Sequence, residues 1–371
     1  MTVANRPASG PTPRPVRVAL VGPSLDILGG QAVQVQRLLT RLGSVPSLSV
    51  EFLPVNPRLP GPLRLLQRVK YVRTVATSVA YAASLLRRVG RYDVVHAFSA
   101  SYWSFLLAPV PAMLVARMLG RRVVLNYRSG EADDHLGRSA VARKLVRLAD
   151  AVVVPSGYLV GVFGKHGLAA RSIVNFVEIE RIPYRERPQP RPVFLSNRNL
   201  EPMYNVGCVL RAFHLVQQRF PEASLVVAGY GSEQAALEAL SAELGLRNVR
   251  FVGRVRPEEM PALYDAADIY LNAPDIDNMP NSVIEAYAAG LPVVTTNAGG
   301  IPFIVEHERT GLMVERNDHA AMAAQAIRLL EEPGLAARLA RTAYETCLTR
   351  YVWPAVREEW ERLYHELTGR A

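Results

Sequence analysis

The side chains with the clearest chemistry lie in one stretch between Asp275 and Pro302, which reads DIDNMPNSVIEAYAAGLPVVTTNAGGIP. Asn281 and Ser282 are residue types that cap helices, so a helix is expected to begin there, just after a proline. Gly290, followed closely by another proline, is expected to end it, and a short β-branched strand comes next. The amide groups at a helix start attract anions, so this stretch suits a phosphorylated ligand.

A carboxylate and a glycine loop add to this helix start. Glu285 lies four residues after Asn281, so the two share one helix face about a turn apart. Gly299 and Gly300 lead into Ile301, and glycine amides can approach a ligand without interference from a Cβ atom. Amide dipoles that take an anion, beside a carboxylate that accepts from hydroxyls, suit a diphosphate and a ribose.

The stretch resembles the donor-site signature of the family 4 retaining glycosyltransferases, which have the GT-B fold. That signature has two acids separated by seven residues, and here they are Asp277, in place of the usual Glu, and Glu285. The resemblance implies a catalytic role for Asp277. It also implies that the donor is bound by Asn278, Met279, Pro280, Asn281, Glu285, Gly299, Gly300 and Ile301.

Composition sets the broad class. With 371 residues, 49% of them hydrophobic and 20% charged, the chain can form two globular domains. Its two cysteines lack metal-ligand spacing, which indicates a reducing compartment. No secretory signal and no uninterrupted apolar run of membrane-spanning length is expected, and residues 1–15 read as a disordered tail.

Charge is distributed unevenly along the chain. Residues 1–180 hold 23 Lys and Arg against 9 Asp and Glu, whereas residues 181–371 hold 20 against 24. Residues 52–92 contain no acid but eight basic residues, and Leu65, Val69, Val72, Val79 and Leu86 recur there near helical period. We expect this apolar stripe to face the core and the basic side to face solvent. The positive excess favours an anionic membrane surface over nucleic acid, since no basic–aromatic motif accompanies it.

Strands and helices alternate along the chain. Apolar or β-branched runs predict strands at residues 16–21, 48–55, 92–98, 122–127, 151–154, 172–177, 193–196, 224–228, 249–253, 268–272 and 293–296. Helices are expected within 325–347 and from Trp353 to Leu367. This order is typical of an α/β protein with parallel sheets.

In the first half, the resemblance points to three places. Gly29 and Gly30 match a glycine pair that approaches the donor phosphates and the acceptor, although a plain strand-to-helix turn would look the same. His96 lies near the carboxyl end of a buried strand, where it is either catalytic or a hydrogen-bonded structural histidine. Arg128 replaces a family histidine, and it suggests either an anionic group on a substrate or a salt bridge with Glu131, Asp133 or Asp134.

In the second half, the resemblance assigns cations and turns. Arg198 matches an arginine that neutralises the donor diphosphate, whereas the lysine that follows in relatives is replaced by Tyr204 and Asn205. Gly229 belongs to a glycine turn after a strand, and Gly253 ends the strand near which relatives place the nucleotide base.

These observations predict a GT-B protein with two facing Rossmann-like domains. The first is an acceptor domain at 16–184, to which a helix at 352–371 returns. A stiff, exposed linker at 185–192 connects it to a nucleotide-sugar-binding domain at 193–351. The expected activity is retaining transfer of a sugar from a nucleotide-diphosphate sugar to a hydroxyl of a lipid-linked or cell-surface glycan precursor. No metal or other cofactor is expected, and the location would be cytoplasmic, on the inner face of the membrane.

Two other functions fit parts of the sequence. A non-catalytic scaffold in a polysaccharide assembly complex would explain the missing lysine and the shorter Asp277. A sugar-nucleotide epimerase would share the fold, but the acid pair and the GGIP loop argue against it.

Overall fold

The computed structural model describes residues 14–24, 30–59 and 70–370; residues 1–13 of the predicted tail and Gly29 lie outside them. Its strands follow the apolar runs closely. They are β1 (Val16–Gly22), β2 (Leu48–Pro54), β3 (Val94–Ser99), β4 (Arg122–Tyr127), β5 (Ala151–Val154), β6 (Arg171–Ser172), β7 (Val193–Ser196), β8 (Ser224–Ala228), β9 (Val249–Gly253), β10 (Ile269–Asn272), β11 (Val293–Thr296) and β12 (Leu312–Val314).

Helices connect the strands, as parallel pairing requires. They are α1 (Gly30–Gly43), α2 (Lys70–Arg88), α3 (Tyr102–Leu107), α4 (Pro109–Met118), α5 (Ala132–Arg138), α6 (Ala140–Val146), α7 (Gly157–Lys165), α8 (Val206–Arg219), α9 (Gln234–Glu243), α10 (Met260–Ala266), α11 (Asn281–Ala288), α12 (His319–Glu331), α13 (Leu335–Arg350) and α14 (Trp353–Thr368).

Among the described residues, the strands form two six-stranded parallel sheets. The first has the order β2-β1-β3-β4-β5-β6 and the second the order β12-β11-β10-β7-β8-β9. The α/β class with parallel sheets is therefore confirmed. The predicted strand at 172–177 is too long: only Ser172 lies in β6, and the rest is irregular apart from a bridge at Val177.

The second sheet carries a hydrophobic core on each face. Side chains alternate along a strand, so Phe194 and Leu195 of β7 point to opposite sides. Phe194 packs with α8 and α12, whereas Leu195 packs with α11 through residues such as Ile284 and Tyr287. Helix α11 is thereby fixed against the sheet on the side where the signature stretch begins.

The chain divides into two compact units. The first comprises the described residues up to Asn126, Lys144–Val152 and the residues from Glu359 onward; the second comprises Tyr127–Arg143 and Val153–Glu358. The end of α14 thus belongs to the first unit, whereas its start belongs to the second, and the predicted returning helix at 352–371 stays a prediction. The predicted domain boundary at 185–192 differs from this division and stays a prediction.

The amino end of the second sheet is tied together by arginines around Asp268, the residue before β10. The Asp268 carboxylate is 2% exposed and lies 2.6 Å from Nη2 of Arg185 and 2.9 Å from Nε of Arg191. Arg187, also buried, donates to the carbonyl oxygens of Ala267 and Ala289. The segment expected to be an exposed linker is therefore anchored here, because its arginines find acceptors that the composition could not show.

Helix α2 differs from expectation in which face is buried. Its core-facing side chains are Tyr81 and Leu85, whereas Val72, Val79 and Leu86 of the predicted stripe are exposed. Leu65 and Val69 lie outside the described residues. The prediction that this stripe faces the core is wrong for its described members. Helix α2 has apolar side chains on two sides, and it is the side opposite the stripe that packs against the core.

Candidate active site

The candidate site lies in the second unit, at the carboxyl ends of β7 and β10. These strands pair in parallel, so both end at the same edge of the sheet. The loop after β7 carries Arg198, and the loop after β10 carries Asp277. Ligands of open parallel sheets bind beyond this edge.

A largely buried ion pair joins the two loops. Nη2 of Arg198 donates to Oδ2 of Asp277 at 2.5 Å, and its Nη1 donates to Oγ of Ser282 at 3.0 Å. The other carboxylate oxygen accepts the Asn278 amide at 2.7 Å. Burial opposes the charged form of Arg198, but the Asp277 carboxylate, together with smaller effects of nearby tyrosines, raises the arginine pKa. Burial raises the pKa of Asp277 above its usual range although Arg198 pulls it down.

Several buried side-chain nitrogen and oxygen atoms at this edge lack a hydrogen-bond partner among the described residues. Nε of Arg198, Oδ1 of Asn197 and Oγ of Ser196 are buried without a hydrogen-bond partner among the residues that the structure describes. Burying such atoms unpaired costs roughly 1–3 kcal/mol each. The edge therefore carries a charged group and unsatisfied polar atoms together.

Helix α11 begins differently from the prediction. Its N-cap residue is Pro280, and no side chain caps the helix. Asn281 and Ser282 lie inside the first turn and turn their oxygens to other partners, Asn175 and Arg198. The expected capping by these two side chains is wrong, because longer-range donors compete for the same oxygens.

Asn175 connects Arg128 with the signature stretch. Its Oδ1 accepts from Nη2 of Arg128, and its Nδ2 donates to Oδ1 of Asn281 at 2.8 Å and to the carbonyl of Met279 at 3.1 Å. Burial lowers the pKa of Arg128 to about 10, which still leaves it protonated at neutral pH. Arg128 is therefore a cation held beside the start of α11.

Two of the three carboxylates expected near Arg128 are engaged with other cations. Asp133 lies 2.8 Å from Nζ of Lys165 and 2.9 Å from Nε2 of His166, and Asp134 pairs with Arg138. The amide oxygen of Asn175 accepts from the guanidinium of Arg128 and helps to orient it.

The glycine loop after β11 is packed against the signature loop itself. A Cβ atom on Gly300 would lie 1.8 Å from the carbonyl oxygen of Asn278, so only glycine fits. The Gly300 amide donates to the Asp277 carbonyl at 3.0 Å. This amide was expected to face a ligand; it instead fixes the loop that carries Asp277. The Asn278 side chain is held from another direction, by the hydroxyl of Ser156.

Glu285 lies on α11 one turn beyond Asn281, as predicted. Its Oε2 accepts from the hydroxyl of Tyr264 at 2.8 Å, and that hydroxyl accepts from Nδ2 of Asn197 at 2.6 Å. Burial keeps the pKa of Tyr264 well above its usual range, so its hydroxyl remains a donor. The assignment of Glu285 to a ribose stays a prediction.

The residues at the position of the family lysine have clear structural roles. The ring of Tyr204 lies 4.2 Å from the guanidinium carbon of Arg198, a cation–π distance. Asn205 is left-handed, with φ of 44°, and its side chain accepts from the Cys208 amide at the start of α8. Gly229 passes so close to the Arg198 carbonyl that a Cβ atom would lie 2.0 Å from it.

Three more of the predicted donor-binding residues have backbone or core positions. Gly253 ends β9 and accepts from the Gly229 amide, and Ile301 is buried in the core beside α11. Gly30 is the first residue of α1.

His96 lies in the first unit, fully buried at the middle of β3. Its Nδ1 is 2.7 Å from the hydroxyl of Tyr364 and its Nε2 is 3.0 Å from Nδ2 of Asn126. An amide nitrogen can only donate, so Nε2 accepts and Nδ1 carries the proton. The imidazole also stacks on Trp360 at 4.9 Å. This geometry matches the structural alternative for His96; its catalytic role stays a prediction.

Three residues of the cluster escaped the sequence-based selection: Asn175, Tyr264 and Ser156. Asn175 could have been selected from the sequence, because residues 172–177 resemble a segment of the family that contains a strand and an asparagine. Tyr264 and Ser156 had none, since a lone tyrosine in a helix or a serine after a strand occurs in most proteins.

Comparison with known proteins agrees with this geometry. Residues 179–346 match the family model "Glycosyl transferases group 1". The chain is 29% identical to glycogen synthase of Mycobacterium tuberculosis over 294 residues, covering 75% of this chain and 69% of that protein. It is 26% identical over 316 residues to a GDP-mannose-dependent phosphatidylinositol monomannoside mannosyltransferase of Mycolicibacterium smegmatis, covering 78% and 80%. The Anabaena HepE structure with UDP and glucose superposes with a TM-score of 0.72 at 19% identity, covering 94% and 98%.

The fold and these similarities define the class: the chain is a glycosyltransferase with the GT-B fold. Its residues 179–346 are similar to the glycosyl transferases of group 1. The matched segment contains Arg198, Asp277 and Glu285, whereas Arg128, Ser156 and Asn175 precede it.

Proposed function

We propose that the protein is a retaining, metal-independent glycosyltransferase. In this proposal it moves a sugar from a nucleotide-diphosphate sugar to a hydroxyl of a lipid-linked or cell-surface glycan precursor. The single observation that carries the proposal is the Arg198–Asp277 pair with its unsatisfied neighbours at the carboxyl edge of the second sheet.

Arg198 would stabilise the leaving diphosphate. When the glycosidic bond breaks, negative charge develops on the phosphate oxygens, and a fixed cation in a desolvated site stabilises it. Asp277 keeps Arg198 charged despite burial, and Ser282 and Tyr204 fix its orientation. A preset guanidinium supplies the positive charge that other enzymes take from a metal ion.

The nucleoside would lie beside α11. Glu285 is half-buried one turn into the helix, and its carboxylate can accept from ribose hydroxyls. Tyr264 holds the carboxylate from the other side. Arg128 would add a second cation near Asn281, to which Asn175 connects it.

The nature of the acceptor is supported by the relatives. One of them is named for mannosyl transfer to a phosphatidylinositol monomannoside, a lipid acceptor, and another for glycogen synthesis. The HepE structure holds UDP and glucose, which supports a nucleotide-sugar donor.

Titration calorimetry with UDP, GDP and ADP, followed by turnover of the matching sugars, tests the proposal. We expect one nucleotide to bind, with affinity lost in Arg198→Ala and kept in the matched control Arg219→Ala, an exposed arginine paired with Glu331. Nuclear magnetic resonance of the product should show the anomeric configuration of the donor. Inversion would overturn the retaining mechanism, and binding without transfer to any acceptor would favour the scaffold.

A further inference from the structure

Helix α2 leaves an apolar side uncovered. Val72, Val75, Val79 and Leu86 are all exposed, with Val75 at 66%, and their spacing of three, four and seven residues places them on one face. Tyr81 and Leu85 cover the core from the opposite face. Burial of α2 in its own unit therefore accounts for only one of its two apolar faces.

The neighbouring helices α3 and α4 expose further apolar side chains. The Tyr81 hydroxyl of α2 donates to the Ala108 carbonyl between α3 and α4 at 2.8 Å, so the three helices pack together. Trp103 on α3 is 74% exposed and Met118 on α4 is 78% exposed. The exposed apolar residues of this helix group, which we call the α2–α4 surface, are Val72, Val75, Val79, Leu86, Trp103, Leu106, Leu107, Leu114, Met118 and Leu119.

The charge around this surface has one sign along α2. No acid occurs from residue 52 to residue 92, and Arg73, Arg87 and Arg91 are exposed. The preceding acid, Glu51, is already engaged by Arg88 and by the hydroxyl of Tyr92. Apolar side chains flanked by arginines are the pattern of a helix that lies in a bilayer interface.

We propose that the α2–α4 surface docks onto a bilayer that contains anionic lipid. Valine, leucine and tryptophan side chains enter the boundary between headgroups and acyl chains, and the arginines contact lipid phosphates. A second copy of the chain is the less suitable occupant, because a symmetric contact through this face brings arginines of α2 against the same arginines. None of the described helices is both long and apolar enough to cross a membrane, so this docking is to the surface. The proposal goes beyond the transfer reaction and does not depend on it.

Trp103 provides a direct probe of docking. The chain has three tryptophans, and Trp353 and Trp360 are buried. Adding vesicles of phosphatidylglycerol and phosphatidylcholine to the intact protein should shift its fluorescence to shorter wavelength and protect it from acrylamide. In Trp103→Phe the shift should disappear while sedimentation with the vesicles persists, which assigns the signal to α3.

Paired variants separate the apolar and the ionic contributions. Val75→Asp with Val79→Asp should reduce vesicle binding about tenfold or more, since each charge would enter the interface. Val141→Asp, at a valine of similar exposure on α6, is the matched control and should bind as the wild type does. Arg73→Glu with Arg87→Glu should reduce binding by about fivefold or more per arginine, whereas Arg250→Glu in the second unit should not.

Salt and lipid composition complete the test. Binding should fall as ionic strength rises, because exposed charges are screened over about 8 Å at physiological salt. Absence of binding to anionic vesicles, or equal binding of wild type and both α2 double variants, overturns the proposal. The proposal is also overturned if light scattering shows a dimer that becomes monomeric in Val75→Asp with Val79→Asp, while the wild type does not bind vesicles. The surface would then contact a second copy of the chain. Nucleotide binding measured on the same variants should be unchanged, so failure here is distinguishable from failure of the proposed reaction.

Discussion

Two buried aspartates of the second unit lie at opposite ends of the same sheet and differ in how they are neutralised. Asp268 precedes β10 and is surrounded by Arg185, Arg187 and Arg191, which hold its pKa at about 2 against the opposing effect of burial. Asp277 follows β10 and has Arg198 as its cation, and burial raises its pKa. The same residue types therefore give opposite pKa directions at positions 268 and 277, on either side of one strand.

The difference shows how the fold separates stability from chemistry. Around Asp268, arginine donors are saturated by the carboxylate and by carbonyl oxygens of the chain. Around Asp277, the Nε of Arg198 and the Oδ1 of Asn197 have no partner among the described residues. A saturated cluster holds strands together, whereas an unsaturated one has hydrogen-bonding capacity left for a substrate.

The largest effect is expected for Arg198→Ala. Removing the arginine leaves the Asp277 carboxylate buried without its cation, which costs about 3–5 kcal/mol of unfolding free energy. Turnover should fall by at least about a hundredfold, because the leaving diphosphate loses its cation. Urea unfolding and a nucleotide-release assay measure the two losses.

The double variant Arg198→Met with Asp277→Leu sharpens this result. It removes both charges, so stability should return toward the wild-type value while turnover stays low. If turnover returned with stability, the pair would be structural, like the arginines around Asp268, and the distinction between the two ends would fail.

The next largest effect is expected for Glu285→Ala. A hydrogen bond to a charged group contributes about 1.5–3 kcal/mol, so nucleotide affinity should fall by that amount. Calorimetry measures it, and Tyr264→Phe is the companion variant because it removes the hydroxyl that holds the carboxylate. Tyr264→Phe should lose less, about 1 kcal/mol. Unchanged affinity in a folded Glu285→Ala protein would exclude the residue from the site.

At the amino end, Asp268→Asn should reduce stability and leave catalysis intact. The aspartate pKa is lowered in the folded state, so its stabilisation is present above about pH 4 and is lost as pH falls toward 2. Because Arg185 and Arg191 are partly exposed, we expect a loss of about 2 kcal/mol at neutral pH. The midpoint of urea unfolding, measured between pH 2 and pH 7, should depend less on pH in the variant than in the wild type over the acid part of that range. A hundredfold loss of turnover instead would make this end catalytic too.

The smallest effect is expected at Tyr204, where relatives carry a lysine. The ring stacks on Arg198, and such a contact contributes about 1 kcal/mol, so Tyr204→Ala should lower turnover several-fold. In the Arg198→Ala background, Tyr204→Lys should recover part of the rate by restoring a cation near the diphosphate. A complete absence of recovery would mean that position 204 cannot reach the leaving group.

Much of the fold was predictable because parallel strands are buried on both faces and read as apolar runs. Strands β4, β5, β7, β8, β9 and β11 begin and end at the predicted residues. The face that α2 buries was not predictable, since apolar residues on both sides give a period without a direction.

The candidate site was predictable in place but not in detail. The helix start, Glu285 and the glycine loop lie where the signature put them. Asn281 and Ser282, however, bond to residues 106 and 84 positions away, and such partners leave no local pattern in a sequence. For the same reason His96, at a strand where ligands often bind, could not be distinguished from a packed histidine until Tyr364 was placed beside it.

The contact between His96 and Tyr364 also sets an order of events during synthesis. The two residues are 268 positions apart, so at about 5–20 residues per second the ribosome needs roughly ten to fifty seconds to travel from one to the other. Throughout that interval His96 lacks its hydrogen bond with the Tyr364 hydroxyl and its stacking contact with the Trp360 ring, because α14 has not yet been made. The first unit to emerge is therefore the last to be completed, whereas the second can assemble its sheet as soon as β12 appears. Completion of the first unit therefore waits until the segment around Trp360 and Tyr364 has left the exit tunnel.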